Sequence, residues 1–239
     1  MRRVGHMGAP SLVTGNTVAS FERAVEVGVE MVELDVLWLR DGSPTLPTRS
    51  RSPLVIAHDW RDAATRPALT LDDALDAFTR PPLDRVEIDC DLKLVGREGE
   101  LVDALREREL VGRAMVSTMY TESLAAIAAM EPALRLGWTY PLATRPWDRS
   151  LLARPILPAA LMAMRRRLPA LARTRAPEIG ASAIWVYHHL ASPGLVSVAR
   201  ELGVEVIAWT VDDAARVAEL RQLGVDGICS NDPRLLAER

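Results

Sequence analysis

The stretch VELDVLWLRDG, residues 32–42, combines the composition of a β-strand with two carboxylates. Side chains of a strand alternate between its two faces, so Glu33 and Asp35 point to one face while the valines and leucines between them point to the other. A strand with one apolar and one acidic face directs both negative charges to the same place in the fold.

A second stretch, VEIDCDLK at residues 86–93, repeats the pattern. The residues of one parity are apolar, and those of the other parity are Glu87, Asp89, Asp91 and Lys93. Burying unpaired carboxylates is costly, so acidic residues that line an interior need cations. Arginines reaching inward from neighbouring strands are one possible source, but none is evident on the predicted strands. We therefore expect one divalent cation, Mg²⁺ or Ca²⁺, because both prefer oxygen ligands.

The basic residues are almost all of one type. Of the 29 lysines and arginines, Lys93 is the single lysine. Its position beside the acidic residues indicates a site that needs a compact ammonium, which a wide planar guanidinium replaces poorly.

Strand-like and helix-like segments alternate along most of the chain. The strand candidates are residues 2–6, 30–39, 84–96, 113–118, 134–140, 180–187, 204–211 and 225–230. Eight such units predict the α/β class and a (β/α)₈ TIM-type barrel, a single domain over residues 1–239. A doubly wound open sheet is the alternative, although no G-x-G-x-x-G turn follows the first strand.

One segment breaks this alternation after the fifth strand. Residues 141–177 hold eight arginines, one aspartate and six prolines. We interpret them as a basic, partly helical insertion, which is either a solvated connection or a cover that attracts anionic substrates or a membrane surface. The segment lacks the interleaved aromatic residues of a nucleic-acid interface, so no nucleic-acid partner is expected.

The bulk composition is typical of a globular protein, with 49% hydrophobic and 26% charged residues. No run of 18 apolar residues predicts a membrane span, and no apolar stretch follows the N-terminal arginines as in a secretory signal. Cys90 and Cys229 are isolated and form no metal or redox spacing, so a cytoplasmic location is expected.

Two of the four histidines end predicted strands. His6 closes the first strand, and His58 ends the apolar run LVIAH. Barrel enzymes place their chemistry at the carboxyl ends of strands, so this pair is a candidate for general acid–base catalysis. His188 and His189 either border the same pocket or form a surface pair, and we leave them out of the catalytic set.

These motifs together resemble the glycerophosphodiester phosphodiesterase family. The matching features are His-x-Gly at residues 6–8, Asn-Thr at 16–17, Glu-x-Asp at 33–35, His-Asp at 58–59, Asp-x-Lys at 91–93, AWTV at 208–211 and GVDGICSNDPRLL at 224–236. The resemblance covers both ends of the chain and is weakest across residues 141–177.

The resemblance implies a metal-dependent enzyme that cleaves a small phosphodiester into glycerol 3-phosphate and an alcohol. It assigns the metal to Glu33, Asp35 and Asp91, and the roles of general acid and base to His6 and His58. The substrate-binding residues would be Lys93 on a phosphate oxygen, Trp209 as a wall of the glycerol pocket, and Asn16.

Three positions depart from the family pattern. Met7 stands where the family usually has arginine, and Gly15 where it has glutamate, so an Arg–Glu pair is missing. Asp91 replaces the common glutamate ligand, a variation shared with the related sphingomyelinase D-like phospholipases. Two alternatives stay open. The basic segment 141–177 favours a phospholipase D-type enzyme acting on lysophospholipid or sphingomyelin, and Met7 and Gly15 favour a barrel that binds a phosphate ligand without catalysis.

Overall fold

A closed ring of parallel strands forms the centre of the computed structural model, which describes residues 1–39, 52–142 and 157–237. The strands are β1 (Arg2–Gly5), β2 (Met31–Trp38), β3 (Leu54–Ile56), β4 (Leu69–Thr70), β5 (Glu87–Leu92), β6 (Ala114–Thr118), β7 (Arg135–Tyr140), β8 (Ala183–Tyr187), β9 (Glu205–Trp209) and β10 (Gly227–Ser230). All except β3 and β4 are parallel neighbours, and β1 closes the ring by pairing with both β10 and β2. The predicted eight-stranded barrel is confirmed.

Helices connect most of the barrel strands. They are α1 (Val18–Val27), α2 (Trp60–Thr65), α3 (Leu71–Phe78), α4 (Glu98–Glu107), α5 (Thr121–Met130), α6 (Leu157–Glu178), α7 (Pro193–Leu202) and α8 (Ala214–Leu223). Their ends follow from local chemistry. The hydroxyl of Ser192 caps the start of α7 by accepting a hydrogen bond from the Leu195 N–H, and Gly203 ends that helix with φ of 69°.

The alternation expected for β2 and β5 is present. Val32, Leu34 and Val36 belong to the large apolar cluster between strands and helices, whereas Met31 belongs to a smaller cluster inside the ring. The register pairs Glu33 with Asp89 and Asp35 with Asp91, so the inward residues of the two strands lie side by side.

Strands β3 and β4 lie outside the ring. β3 runs antiparallel to the end of β2, with Ile56 opposite Val36, and β4 runs antiparallel to β3. His58 therefore follows a strand outside the barrel, whereas the sequence predicted both His6 and His58 at the ends of barrel strands. Because β3 runs back toward the barrel mouth, His58 still reaches the carboxyl ends of the ring. We call residues 52–70 the β3–β4 extension.

The opposite end of the barrel corrects one expectation about charge. Glu87 accepts a hydrogen bond from Arg135 at 2.8 Å and lies 3.5 Å from the Arg2 guanidinium. Arginines at the first positions of β1 and β7 thus neutralise this carboxylate. The sequence did not predict these two arginine partners, because each begins its strand rather than lying within the apolar core. Glu87 thus has a different environment from Asp91, four residues later.

The basic segment is described only in part. Residues 157–178 form α6, which lies between β7 and β8 in the chain and packs on α7; its buried residues are Leu168, Ala172 and Ala176. Residues 143–156 lie outside the described part of the chain, so the interpretation of 141–177 as an insertion stays a prediction. No helix in the described ranges is both long and apolar enough to cross a bilayer.

Candidate active site

Three carboxylates converge at the barrel mouth. Glu33 and Asp35 of β2 and Asp91 of β5 each offer one oxygen, and these oxygens lie within 4.8 Å of one another. Glu33 and Asp35 are buried, and Asp91 is partly exposed. The three predicted metal ligands are thus brought together by the two-residue period of their strands and by the register of β2 against β5. We call them the carboxylate cluster.

The Lys93 ammonium lies between two members of this cluster. It contacts a carboxylate oxygen of both Asp35 and Asp91. Burial alone lowers the pKa of Lys93, but the adjacent carboxylates outweigh it and raise that pKa well above its usual range. Burial raises the pKa of Asp35, yet Lys93 and the histidines hold it below its usual range. Lys93 and Asp35 are therefore both charged at neutral pH.

In the part of the chain that the structure describes, no lysine or arginine forms an ion pair with Glu33. Burial, followed by the negative charge of Asp35, raises the pKa of Glu33 well above its usual range. The only hydrogen bond to it among the described residues comes from the Met7 backbone N–H, at 2.8 Å from Oε2. One ammonium thus leaves the cluster short of positive charge. Three oxygen donors with this deficit fit a hard divalent cation, so the acidic triad could hold a metal ion.

The loop after β1 places the Met7 amide on Glu33. Met7 has φ of 49° and Gly8 has φ of 83°, and a Cβ added at Gly8 would lie 2.6 Å from Ser20 of α1. Only glycine allows this approach. The Ser20 hydroxyl then fixes the loop by donating to the Met7 carbonyl and accepting from the Ala9 N–H. This contact explains the glycine of the His-x-Gly motif.

Asn16 orients one of the cluster carboxylates. It is buried and left-handed with φ of 56°, a conformation that asparagine adopts more readily than most residues. Its Nδ2 donates to Asp35 Oδ2 at 2.7 Å, and its Oδ1 accepts from the Asp35 N–H at 3.3 Å. Both described hydrogen bonds of the Asn16 side chain thus go to Asp35, and its expected contact with substrate stays a prediction.

The two predicted catalytic histidines face each other across the mouth, with ring centroids 6.4 Å apart. The His6 side chain is 16% exposed, and its Nε2 lies 3.9 Å from Glu33 Oε2. Burial lowers the pKa of His6 below its usual range, despite the attraction of Asp35. His58 is open to solvent, with 53% of its side chain exposed. One partly buried imidazole with a lowered pKa and one exposed imidazole suit different proton-transfer roles.

Trp209 ends β9 at the same end of the barrel. Its ring lies 5.7 Å from that of Tyr187, the last residue of β8. The indole Nε1 is buried and has no hydrogen-bond partner in the described part of the protein. A buried indole N–H usually finds an acceptor, so this position suits a ligand oxygen.

Two residues that form a hydrogen-bonded path to His6 were not predicted from the sequence. Asn231 hydrogen-bonds the His6 ring, and Asp212 hydrogen-bonds Asn231. Asn231 lies in the segment 224–236, quoted only as a family match, and Asp212 comes directly after another such segment, 208–211. A usable signal was their position, since Asn231 follows β10, the neighbour of β1 in the ring, and Asp212 follows β9, the next strand. His188 has a different partner, because its ring nitrogen and its carbonyl accept hydrogen bonds from Arg216. Burial, followed by the charges of His189 and Arg216, lowers the pKa of His188 to about 4.

Asp89, the remaining inward carboxyl of β5, predicts a pH dependence of stability. It is buried beside Ser117, and burial raises its pKa well above the usual range, with a further contribution from Asp91. A raised pKa in the folded state stabilises the fold below the unfolded value of about 3.9, and this contribution is lost as the pH rises through the folded value. Asp89→Asn is expected to flatten that decline. It should change the free energy of unfolding by less than about 1 kcal/mol near pH 4.

Urea unfolding at a series of pH values, with chelator present, measures this effect. Asp103→Asn, which alters a carboxylate exposed on α4, is the matched control and should keep the wild-type pH dependence. Identical slopes for wild type and Asp89→Asn would show that Asp89 is ionised in the folded protein.

Comparison with known proteins identifies the family of the chain. The chain matches the glycerophosphoryl diester phosphodiesterase family over residues 6–47 and 97–235. It is 26% identical to a glycerophosphodiester phosphodiesterase of Caldanaerobacter subterraneus, and the alignment covers 98% of this chain and 95% of that protein.

Two solved structures share the fold. A glycerophosphodiester phosphodiesterase from Parabacteroides distasonis superposes with a TM-score of 0.71 at 17% identity, covering 96% of this chain and 92% of that one. A phosphodiesterase from Oleispira antarctica, in complex with the product sn-glycerol-3-phosphate, gives a TM-score of 0.67 at 18% identity and covers 98% and 94% of the two chains. With the family match extending over most of the barrel, this chain belongs to the glycerophosphoryl diester phosphodiesterase family and is a phosphoric diester hydrolase.

Proposed function

We propose that the protein hydrolyses glycerophosphodiesters to glycerol 3-phosphate and an alcohol, with one divalent cation and a pair of histidines. The observation that carries this proposal is the convergence, at one end of the barrel, of the carboxylate cluster, a lysine and two facing histidines. Membership of the family supports the reaction class.

Glu33, Asp35 and Asp91 are the residues that would hold the cation. Mg²⁺ or Ca²⁺ bound there supplies a Lewis acid that neutralises charge on a non-bridging phosphate oxygen. Lys93 adds a second positive charge beside Asp35 and Asp91, and it is partly open to the mouth, with 24% of its side chain exposed. Its ammonium would bind a phosphate oxygen and stabilise charge that develops there during cleavage.

The histidines would carry the proton transfers. His6 is partly buried and its pKa is lowered, which favours the neutral ring, so its Nε2 would take a proton from the attacking hydroxyl. That hydroxyl belongs to water or to the neighbouring carbon of the substrate's glycerol, in which case a cyclic phosphate forms first. His58, on the opposite side and exposed to solvent, would then protonate the leaving alkoxide.

The glycerol portion would lie against Trp209. Its ring gives an apolar wall for the carbon chain, and the unpartnered indole N–H offers a donor to a glycerol oxygen. This combination of a charged phosphate site and a small wall with one donor supports the substrate class that family membership indicates. The expectation of a cytoplasmic location rests on cysteine usage and stays a prediction.

Turnover of glycerophosphocholine in the presence of Mg²⁺, Ca²⁺ or Mn²⁺ tests the proposal. We expect release of glycerol 3-phosphate that stops when a chelator is added and returns with excess metal. Release of choline phosphate instead would contradict the proposed position of cleavage. Metal-dependent binding of the diester without turnover would favour the non-catalytic alternative.

A phospholipase D-type activity is the second candidate, because α6 combines basic and apolar groups at its surface. Arg166 and Arg167 are exposed, and 47% of the Met162 surface is accessible. Such a helix suits contact with a lipid surface. Faster turnover of lysophosphatidylcholine above its micelle threshold than of glycerophosphocholine would favour this candidate.

A further inference from the structure

Three neighbouring strands place a series of hydrogen-bonded polar side chains beside the His6 ring. β9, β10 and β1 are consecutive in the ring, and Asp212, Asn231 and His6 follow shortly after their carboxyl ends. The His6 backbone N–H also donates to the Ser230 carbonyl at 3.0 Å, which holds the end of β1 against that of β10. None of these contacts involves the carboxylate cluster.

The hydrogen bonds form a continuous path. His6 Nδ1 lies 2.8 Å from Asn231 Oδ1, and Asn231 Nδ2 lies 2.6 Å from Asp212 Oδ2. The other oxygen of Asp212 accepts from the Asn231 backbone N–H at 2.8 Å and from the Ser230 hydroxyl at 3.0 Å. Three donors thus fix the orientation of the Asp212 carboxylate, and that carboxylate fixes the Asn231 amide.

The orientation of the amide decides the position of the proton on His6. An ionised carboxylate only accepts hydrogen bonds, so the atom of Asn231 that faces Asp212 must be the NH₂ group. The atom that faces His6 is then the amide oxygen, which also only accepts. His6 Nδ1 must therefore carry a hydrogen, and in the neutral ring Nε2 is left with its lone pair, on the side where Glu33 lies 3.9 Å away.

We propose that Asn231 and Asp212 are positioning residues that hold His6 in the Nδ1–H tautomer, so that Nε2 is the atom presented to the reaction. Their part in catalysis rests on the function proposed above for His6, whereas the tautomer itself does not. The described hydrogen bonds of the two side chains do not reach the carboxylate cluster; the two residues act through the ring of His6.

Nitrogen NMR of the uniformly ¹⁵N-labelled protein tests the tautomer without any substrate. The chain has four histidines, and the His6→Gln spectrum identifies the His6 signals by their loss. At about pH 8, where an imidazole is neutral, the wild type is expected to show a protonated Nδ1 and an unprotonated Nε2 at His6. A protonated Nε2 would overturn the proposal, whether or not the protein is active.

Variants test the path itself. Asn231→Ala removes the acceptor and is expected to release His6 into a mixture of tautomers. It should lower kcat about 10- to 100-fold, as the loss of an orienting partner commonly does, with KM changed less than about threefold. Asn231→Asp keeps an oxygen acceptor and should retain the Nδ1–H form. An unchanged tautomer in Asn231→Ala would refute the assignment.

Asp212→Ala provides the second measurement if Asn231→Ala does not fold. This variant frees the Asn231 amide to rotate, so both tautomers of His6 should appear and kcat should fall. Asp212→Asn keeps an acceptor and should therefore have a larger share of the Nδ1–H tautomer and a higher kcat than Asp212→Ala. Asp213→Asn is the matched control, because it removes one exposed carboxylate from the adjacent position and keeps a good cap for α8. The control should leave the His6 spectrum and kcat unchanged.

Discussion

Glu33→Gln is expected to abolish metal binding and turnover while leaving the fold intact. Glutamine has nearly the shape of a protonated glutamate, and burial with the nearby Asp35 raises the pKa of Glu33 so that its proton is retained more readily than usual. The substitution therefore costs the metal-free protein little. However, glutamine cannot ionise, so the variant lacks the negative charge with which Glu33 would bind a cation.

The expected loss of metal affinity exceeds about 100-fold, because losing even an outer partner of a ligand commonly costs 10- to 100-fold. Titration calorimetry with Mg²⁺ and Ca²⁺ gives the affinity, and thermal unfolding with chelator gives the stability. Glu30→Gln, which alters an exposed carboxylate paired with Arg3 just before β2, is the control and should bind metal as the wild type does. Wild-type metal affinity in Glu33→Gln would remove this residue from the proposed ligand set.

His58→Ala is expected to lower kcat by about 10²- to 10⁴-fold, the usual contribution of a positioned acid or base. Metal affinity should not change, because His58 is not part of the carboxylate cluster. The side chain is 53% exposed, so the free energy of unfolding should change by less than about 0.5 kcal/mol. Activity, affinity and stability thus respond separately in this variant.

Steady-state kinetics and calorimetry on the same preparation measure these quantities. His189→Ala removes another exposed imidazole, one that stacks beside His188 and Tyr187, and should keep full activity. A His58→Ala protein with near-normal kcat would show that the second proton is supplied by another group. A loss of metal affinity in this variant would instead place His58 among the ligands.

The fold could be predicted because its signals are local. Each barrel strand is a short apolar run between caps and glycines, and the two-residue parity of β2 and β5 already separated Glu33, Asp35 and Asp91 from the apolar face. That parity cannot show how far along the barrel axis a residue lies. Glu87 shares the parity of Asp91, yet it meets arginines at the opposite end.

Contacts that depend on the register between distant segments could not be predicted. The partner of His6 lies 225 residues away, and Asn231 becomes its neighbour only when β10 closes the ring against β1. The antiparallel course of β3 was also hidden, because three apolar residues before His58 are compatible with a strand of either direction. Residue type identified the candidates, and ring closure determined which of them meet.

The β3–β4 extension gives the two histidines different evolutionary freedom. His6 belongs to the ring, where a change in length would disrupt closure, whereas His58 is carried by a side arm whose removal leaves all eight barrel strands paired. Insertions and replacements in the arm can therefore accumulate without dismantling the barrel. If the histidines act as proposed above, such changes would alter the side of the site next to His58 and leave the strands that carry the carboxylate cluster in place.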